Sequence, residues 1–306
     1  MRFHMPKFLR IVLCIVIVFA GILPMLLALF ASNGLVFANR ETPVIGTINT
    51  PAAPPIREES ARITIMAYNI AKGFVHKGGL RFEREEIMKA RLRRIADLIA
   101  REQPDLVLLS EAIFECSPCP VNQVTFLAEA AQMPHWAFGE NYNFGLPFYR
   151  IVGGNAMLSR WPLTPNINLS LVGQKPFYET KNNRRALWCG LKLGGEEMLI
   201  GSLHLDSYSP ANNAAQARQL LEFLGTRPAF MGGDFNAQPN EPAMQAIIAS
   251  GRFAWAGAGA LTFPASTPQQ QLDYIFAPSN WECVEQRVIP ADMSDHLPVV
   301  SVFRKK

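Results

Sequence analysis

Acidic residues are missing from the first forty positions, and no charge of either sign lies between Arg10 and Arg40. That gap excludes a solvated amphipathic helix, which needs a polar face. Cysteine is scarce, five in 306 residues, so a disulfide-dense scaffold is excluded. Cys116-Ser-Pro-Cys119 has the spacing of half a zinc site, but no second Cys or His pair accompanies it. Cys189 and Cys283 each stand alone in apparent strands. This argues against structural zinc and leaves free thiols, or a small loop-closing disulfide if the domain is exported. No repeat of fixed period is present, which excludes a solenoid. Net charge is also lacking beyond residue 40: the first forty residues hold four basic groups, leaving 25 basic against 25 acidic residues. Such a domain has no broad Lys and Arg excess to drive sequence-independent nucleic-acid binding, and only a local basic patch would serve that role.

What is there begins with a membrane signal. Ile11 to Phe30 is almost wholly apolar and, as a helix rising about 1.5 Å per residue, covers roughly 30 Å of hydrocarbon. Its length favours a retained anchor; the alternative is a cleavable signal peptide ending near Val36-Phe37-Ala38, giving a secreted protein. Pro24 lies within the run and is expected to kink it. Arg2, Lys7 and Arg10 precede the span and Arg40 alone follows closely, which favours a cytoplasmic N-terminus and an extracytoplasmic domain. Pro43, Pro51, Pro54 and Pro55 among small residues then read as an extended spacer. The expected organisation is a basic tail at 1–10, a membrane anchor at 11–38, a Pro-rich linker at 39–61 and one α/β domain at 62–306.

Within that domain, Arg62 to Asn69 alternates as a strand, Glu85 to Gln103 repeats at helical spacing until Pro104, and Leu106 to Leu109 is a buried strand delivering Glu111 just past its end. Further strands are expected at 153–158, 186–193, 198–205, 229–231, 272–276 and 298–303. Helices are expected at 210–224, capped by Ser209, and at 241–249. Many strands with few crossover helices imply two sheets with helices outside.

Three segments carry chemistry. Met231-Gly-Gly-Asp234-Phe-Asn236 presents a carboxylate and a carboxamide two residues apart, on one side of an extended chain, behind glycines that permit close backbone approach. Ser294-Asp295-His296 supplies an acid and an imidazole before the last strand. Asp273 opens an apolar strand, where an unpaired charge is costly, and His296 is its natural partner. An ordinary polar turn or a satisfied strand end explains each alone.

Their order does more. With Met66-Ala-Tyr-Asn69, Leu109-Ser-Glu111, Gly154-Asn-Ala-Met-Leu-Ser-Arg160, Leu203-His204-Leu and Leu272-Asp273-Tyr-Ile-Phe, the chain from about Arg62 onward resembles the endonuclease/exonuclease/phosphatase superfamily. The resemblance implies a four-layered α/β sandwich, two facing mixed sheets flanked by helices, here preceded by one transmembrane helix. It also implies divalent-metal-dependent hydrolysis of phosphoesters by direct water attack on phosphorus. Glu111 is then the main metal ligand with Asn69 and Asp295 nearby, for Mg2+ with Mn2+ as the alternative. Asp234 orients or deprotonates the water, Asn236 donates to a nonbridging oxygen, His296 paired to Asp273 binds or protonates the phosphate, and His204 is a second imidazole. Asn155 and Arg185 are expected substrate contacts; Arg184 and Arg185 precede a strand, where an exposed basic loop is the plainer reading. Ser110 departs from the Gln common in relatives. The expected substrate is a phospholipid or nucleic acid, phosphodiester before phosphomonoester. The alternative is an inactive membrane-tethered binding domain of the same fold. The membrane is a partner through the N-terminal helix, and no protein partner is indicated.

Overall fold

The computed structural model describes residues 6–31, 40–49, 62–74, 82–146, 149–173 and 184–306. Arg2, Val36-Phe37-Ala38 and the prolines at 51, 54 and 55, on which parts of the anchor and spacer readings rest, lie outside the described residues. At the N-terminus α1 (Lys7–Ile17) and α2 (Leu23–Ala31) are joined by a π-helical turn, Val18–Ile22. Pro24 lacks an N–H and its ring crowds the carbonyl four residues back; the widened turn lies where that strain falls. Lys7–Ala28 is long and apolar enough to cross a membrane, or to act as a signal sequence, and none of it is buried.

The chain continues through β1 (Val44–Thr47), β2 (Arg62–Asn69), α3 (Glu85–Glu102), β3 (Leu106–Cys116), α4 (Gln123–Ala130), β4 (His135–Leu146), β5 (Tyr149–Ser159) and β6 (Thr164–Ser170). It then forms β7 (Arg185–Leu193), β8 (Glu196–His204), α5 (Pro210–Leu224), β9 (Ala229–Asp234), α6 (Pro242–Ala249), β10 (Phe253–Ala254), β11 (Asp273–Pro278), β12 (Trp281–Val288) and β13 (Val299–Lys305). One sheet runs β1-β4-β5-β3-β2-β13-β12, the other β10-β11-β9-β8-β7-β6. The pairs β2–β3 and β8–β9 are parallel, each closed by a crossover helix, α3 or α5.

Both faces of each sheet are covered. Ile63, Ile65 and Ala67 of β2 meet Leu187, Ile200, Phe230 and Ile275 in the layer between the sheets. Met66 and Tyr68, pointing the other way as strand alternation requires, pack against α3 through Met88, Leu92 and Ile95. Outside the second sheet, Leu203 and Met231 pack against Ala217, Leu220, Met244 and Ile247 of α5 and α6. The four-layered sandwich is therefore the observed fold. Helix ends follow the local chemistry: Glu85 and Glu86 open α3, which closes on left-handed Gln103, and Ser209 caps α5 ahead of Pro210.

Four differences from the sequence expectations have physical reasons. Val44–Thr47 lies inside the segment read as spacer, yet it pairs with β4 as an edge strand; Pro43 stands just outside it, so no ladder donor is lost. Strand β4 is rich in Gly and Asn and lacks a clear alternation. Helix α4 spans only eight residues, capped by the Asn122 side chain. Strand β12 is a polar edge in which Glu282, Glu285 and Arg287 hide the pattern.

Candidate active site

The two parallel strand pairs end at one rim. Asn69 stands beside Ser110 in the first sheet and His204 beside Asp234 in the second, while Asp273 on β11 pairs in register with Asp234. Just below that rim the sheets are pinned reciprocally: Ser110 Oγ donates to Leu203 O at 2.9 Å and Ser202 Oγ to Leu109 O at 3.1 Å. The departure at Ser110 thus supplies a short hydroxyl that reaches the facing sheet.

Glu111 does not lie beyond its strand as expected. Strand β3 continues to Cys116 through a bulge between Leu109 and Ala112, and Glu111 sits there at φ 59°. A bulge breaks the alternation and re-aims a side chain. Its Oε1 lies 3.9 Å from His204 Nε2, and its Oε2 pairs with the Lys72 ammonium.

Asp234 is the centre of the cluster. Asn69 Nδ2 donates to its Oδ2 at 3.0 Å and Asn236 N–H to its Oδ1 at 2.9 Å. His204 Nε2 and His296 Nε2 flank Oδ2 at 3.5 and 3.7 Å. His296 Nδ1 lies 2.8 Å from Asp273 Oδ2, the predicted pair, and the Phe263 ring covers the imidazole at 4.8 Å. Asn236 Nδ2 donates to Leu205 O at 3.0 Å, so one amide hydrogen is used and the other is available.

The environments separate the protonation states. Burial penalises the charged form of Glu111, yet the Lys72 ammonium beside it holds it down at about 2. Burial also opposes a charged His296, but Asp273, as charge and hydrogen-bond partner, then Asp234 and Asp295, raise it to about 10. Burial, then the Arg184 charge, depress His204 well below the usual histidine range. Burial pushes Asp234 up to about 7 against the opposing charge of His296. These surroundings favour an ionised Glu111 and a charged His296, oppose charge on His204 and raise Asp234.

Asp234, Asp273 and His296 bring ligand atoms within 4.8 Å of one another. The carboxylates around His296 favour its charged form, whereas ligation needs the neutral ring. Glu111 fits a cation better: it stays ionised and already bears a positive group, the Lys72 ammonium. Asn69, expected beside the metal, uses Oδ1 to accept the Ala71 N–H at 2.9 Å and Nδ2 for Asp234. Asp295 is exposed, with Ser294 Oγ 3.3 Å from its Oδ1.

Asn155 lies on β5 across from the bulge that carries Glu111, and Arg185 opens β7; both spend their side chains on backbone carbonyls. Asn155 Nδ2 donates to Arg185 O at 2.8 Å, and Arg185 Nη1 donates to Asn168 O at 3.0 Å, both buried. The arginine that acts on the rim is Arg184. Neighbouring side chains at a strand start point opposite ways, and the Arg184 charge reaches the rim, adding to the effect of burial on His204 and, as a smaller contribution after Lys72, lowering Glu111. Its Nη2 donates to Ser207 Oγ at 2.9 Å; its buried Nη1 has no hydrogen-bond partner among the described residues. Lys72, read from sequence only as a turn former with Gly73, is the other residue missed. A turn of mixed composition carries no period, and the one available signal was Asn69 two residues ahead of Ala71, where an Asx side chain caps a turn.

The sequence profile of the Endonuclease/Exonuclease/phosphatase family matches residues 66–296, a range running from the strand of Asn69 to His296. The chain belongs to this family. Among solved structures, an endonuclease/exonuclease/phosphatase from Beutenbergia cavernae is 24% identical with a TM-score of 0.61, covering 80% of this chain and 72% of that one. A mannosyl-6-phosphatase from Bacteroides thetaiotaomicron is 15% identical with a TM-score of 0.54, covering 79% and 99%. The human Nocturnin catalytic domain, solved with sulfate, is 16% identical with a TM-score of 0.53, covering 86% and 98%. At these identities the likeness is one of fold. Comparison with curated proteins gives no match. As a family member the protein is placed among hydrolases of phosphoesters.

Proposed function

We propose that this protein is a divalent-metal-dependent phosphodiesterase that attacks phosphorus directly with water. The observation that carries the reading is the convergence of Asn69, the Asn236 N–H, His204 and His296 on the Asp234 carboxylate, with His296 paired in turn to Asp273. Asp234 accepts the proton of the attacking water and is aimed by Asn69 and the Asn236 N–H. His296, held cationic by Asp273, faces the oxygen on which charge develops. Neutral His204 and the second amide hydrogen of Asn236 donate to nonbridging oxygens. Arg184, with Nη1 unpartnered, anchors the phosphate. Glu111 is the residue that holds the cation, and Asp295 is an additional carboxylate proposed for it. A bound Mg2+ or Mn2+ supplies charge neutralisation at the phosphate and the leaving alkoxide.

The neutral domain and the apolar N-terminal helix favour a phospholipid or another extracytoplasmic phosphodiester over nucleic acid. We assign Lys7–Ala28 as a retained anchor with the domain outside the cytoplasm; the folded domain then includes the edge strand Val44–Thr47. The test is turnover of an aryl phosphodiester by the detergent-solubilised full chain with and without chelator, followed by phospholipid, DNA, RNA and sugar-phosphate substrates. Activity that disappears with chelator and returns with Mg2+ or Mn2+ is the expected result. No metal-dependent turnover on any class overturns the enzyme reading in favour of a binding domain.

A further inference from the structure

The turn after β2 holds three successive residues at positive φ, Ala71 (46°), Lys72 (56°) and Gly73 (57°), and Glu111 opposite lies there too, at 59°. Non-glycine residues occupy that region only where surrounding contacts hold them. Those contacts are specific. Asn69 Oδ1 accepts the Ala71 N–H at 2.9 Å, and Ile70 O accepts the Gly73 N–H at 2.7 Å. Gln123 Nε2 donates to Lys72 O at 2.7 Å, while Gln123 Oε1 accepts the Ile113 N–H at 2.9 Å. The same buried glutamine therefore ties the lysine turn to the strand that carries Glu111. Arg91 donates to Gly73 O at 2.5 Å, and a Cβ on Gly73 would meet Met88 Sδ at 2.7 Å.

This is not a surface ion pair between two free-swinging side chains. Both backbones are fixed in a sparsely populated conformation, and the side chains are 34% (Lys72) and 19% (Glu111) exposed, so the pair sits partly buried at the rim. A mostly buried carboxylate beside a neutral imidazole needs a positive partner, and removing that partner leaves an uncompensated charge. The ammonium and a divalent ion repel each other on one carboxylate, so they cannot share it without loss.

We infer that Lys72 is the resident cation of the Glu111 site: its ammonium neutralises Glu111 before metal binds, competes with the incoming divalent ion, and so sets metal affinity. Lys72 is a positioning residue in this role. The inference rests on the reading that Glu111 holds the cation.

The experiment titrates Mn2+ calorimetrically into the solubilised full chain and its Lys72→Met, Lys72→Arg and Glu111→Gln variants, with melting curves for metal-free and Mn2+-saturated protein. Lys72→Met is expected to bind Mn2+ about tenfold more tightly, equivalent to about 1.4 kcal/mol, and to melt lower than wild type only without metal. Lys72→Arg is expected to keep wild-type affinity. Unchanged or weaker binding by a Lys72→Met protein that still melts cooperatively overturns the role of Lys72; if that variant does not fold, Lys72→Gln is read the same way. Wild-type binding by Glu111→Gln instead overturns the placement of the cation, and the inference with it.

Discussion

Asn69 Nδ2 donates to Asp234 Oδ2 at 3.0 Å, joining the ends of two strands from different sheets that lie 165 residues apart in the chain. The bond fixes the orientation of the carboxylate whose pKa burial raises to about 7. Asp234→Asn keeps a side chain of the same shape at the same place but removes the proton acceptor. Turnover is expected to fall by about 10²- to 10⁴-fold, the usual contribution of a positioned acid or base, with the fold kept at a cost of about 1–3 kcal/mol, because the amide can accept from only one of Asn69 and the Asn236 N–H. Near-normal rates from a folded Asp234→Asn protein would rule out the base assignment.

The pH profile should be bell-shaped. Asp234 must be ionised to accept a proton, so kcat/KM rises through about pH 7. His296 must be protonated, so activity falls as pH approaches about 10. The sign for stability agrees: a histidine raised above its ordinary 6.5 contributes fully below that value, and the contribution is lost as pH rises through about 10. Asp273→Asn removes the largest factor holding His296 charged and should pull the alkaline limb of the profile down. A limb that stays in place in this variant contradicts the pairing.

Arg184→Ala should lower kcat/KM by about tenfold to a hundredfold, the value of one or two charge-assisted hydrogen bonds, mainly through KM. Arg185→Ala, one residue on, should instead lower the melting temperature and leave KM alone, because its guanidinium bonds to Asn168 O inside the sandwich. Kinetics and melting curves on the two variants separate these outcomes; equal effects of both on KM would contradict the division of roles.

The reciprocal serines pin the sheets at the rim. Ser110→Ala and Ser202→Ala should each cost about 1 kcal/mol, the net worth of a buried hydrogen bond, and together about twice that, read from denaturant unfolding. No loss in either variant would mean that the bridging bonds contribute nothing to holding the layers.

If the domain faces outward, protease added to intact cells should digest it, and labelling should reach its surface lysines. Protection in intact cells with cleavage only after lysis would reverse the topology.

The sequence determined the elements whose pattern is local: the apolar N-terminal helix, α3 with its charged face, the strands of Asn69, Asp234 and Asp273, and the Asp273–His296 pair, which follows from the cost of an unpaired charge in an apolar strand. Side-chain periodicity and capping act over a few residues, so they can be read along the chain. It did not determine which of two adjacent arginines turns to the rim, that Ser110 reaches across to Leu203, or that a bulge in β3 aims Glu111 at Lys72. Those depend on register, on the facing sheet and on positive-φ backbone held by Gln123 and Asn69, contacts between residues distant in sequence. Tertiary packing alone decides them, because only the closed sandwich creates the burial and neighbouring charges that favour an ionised Glu111 and a charged His296 and raise Asp234.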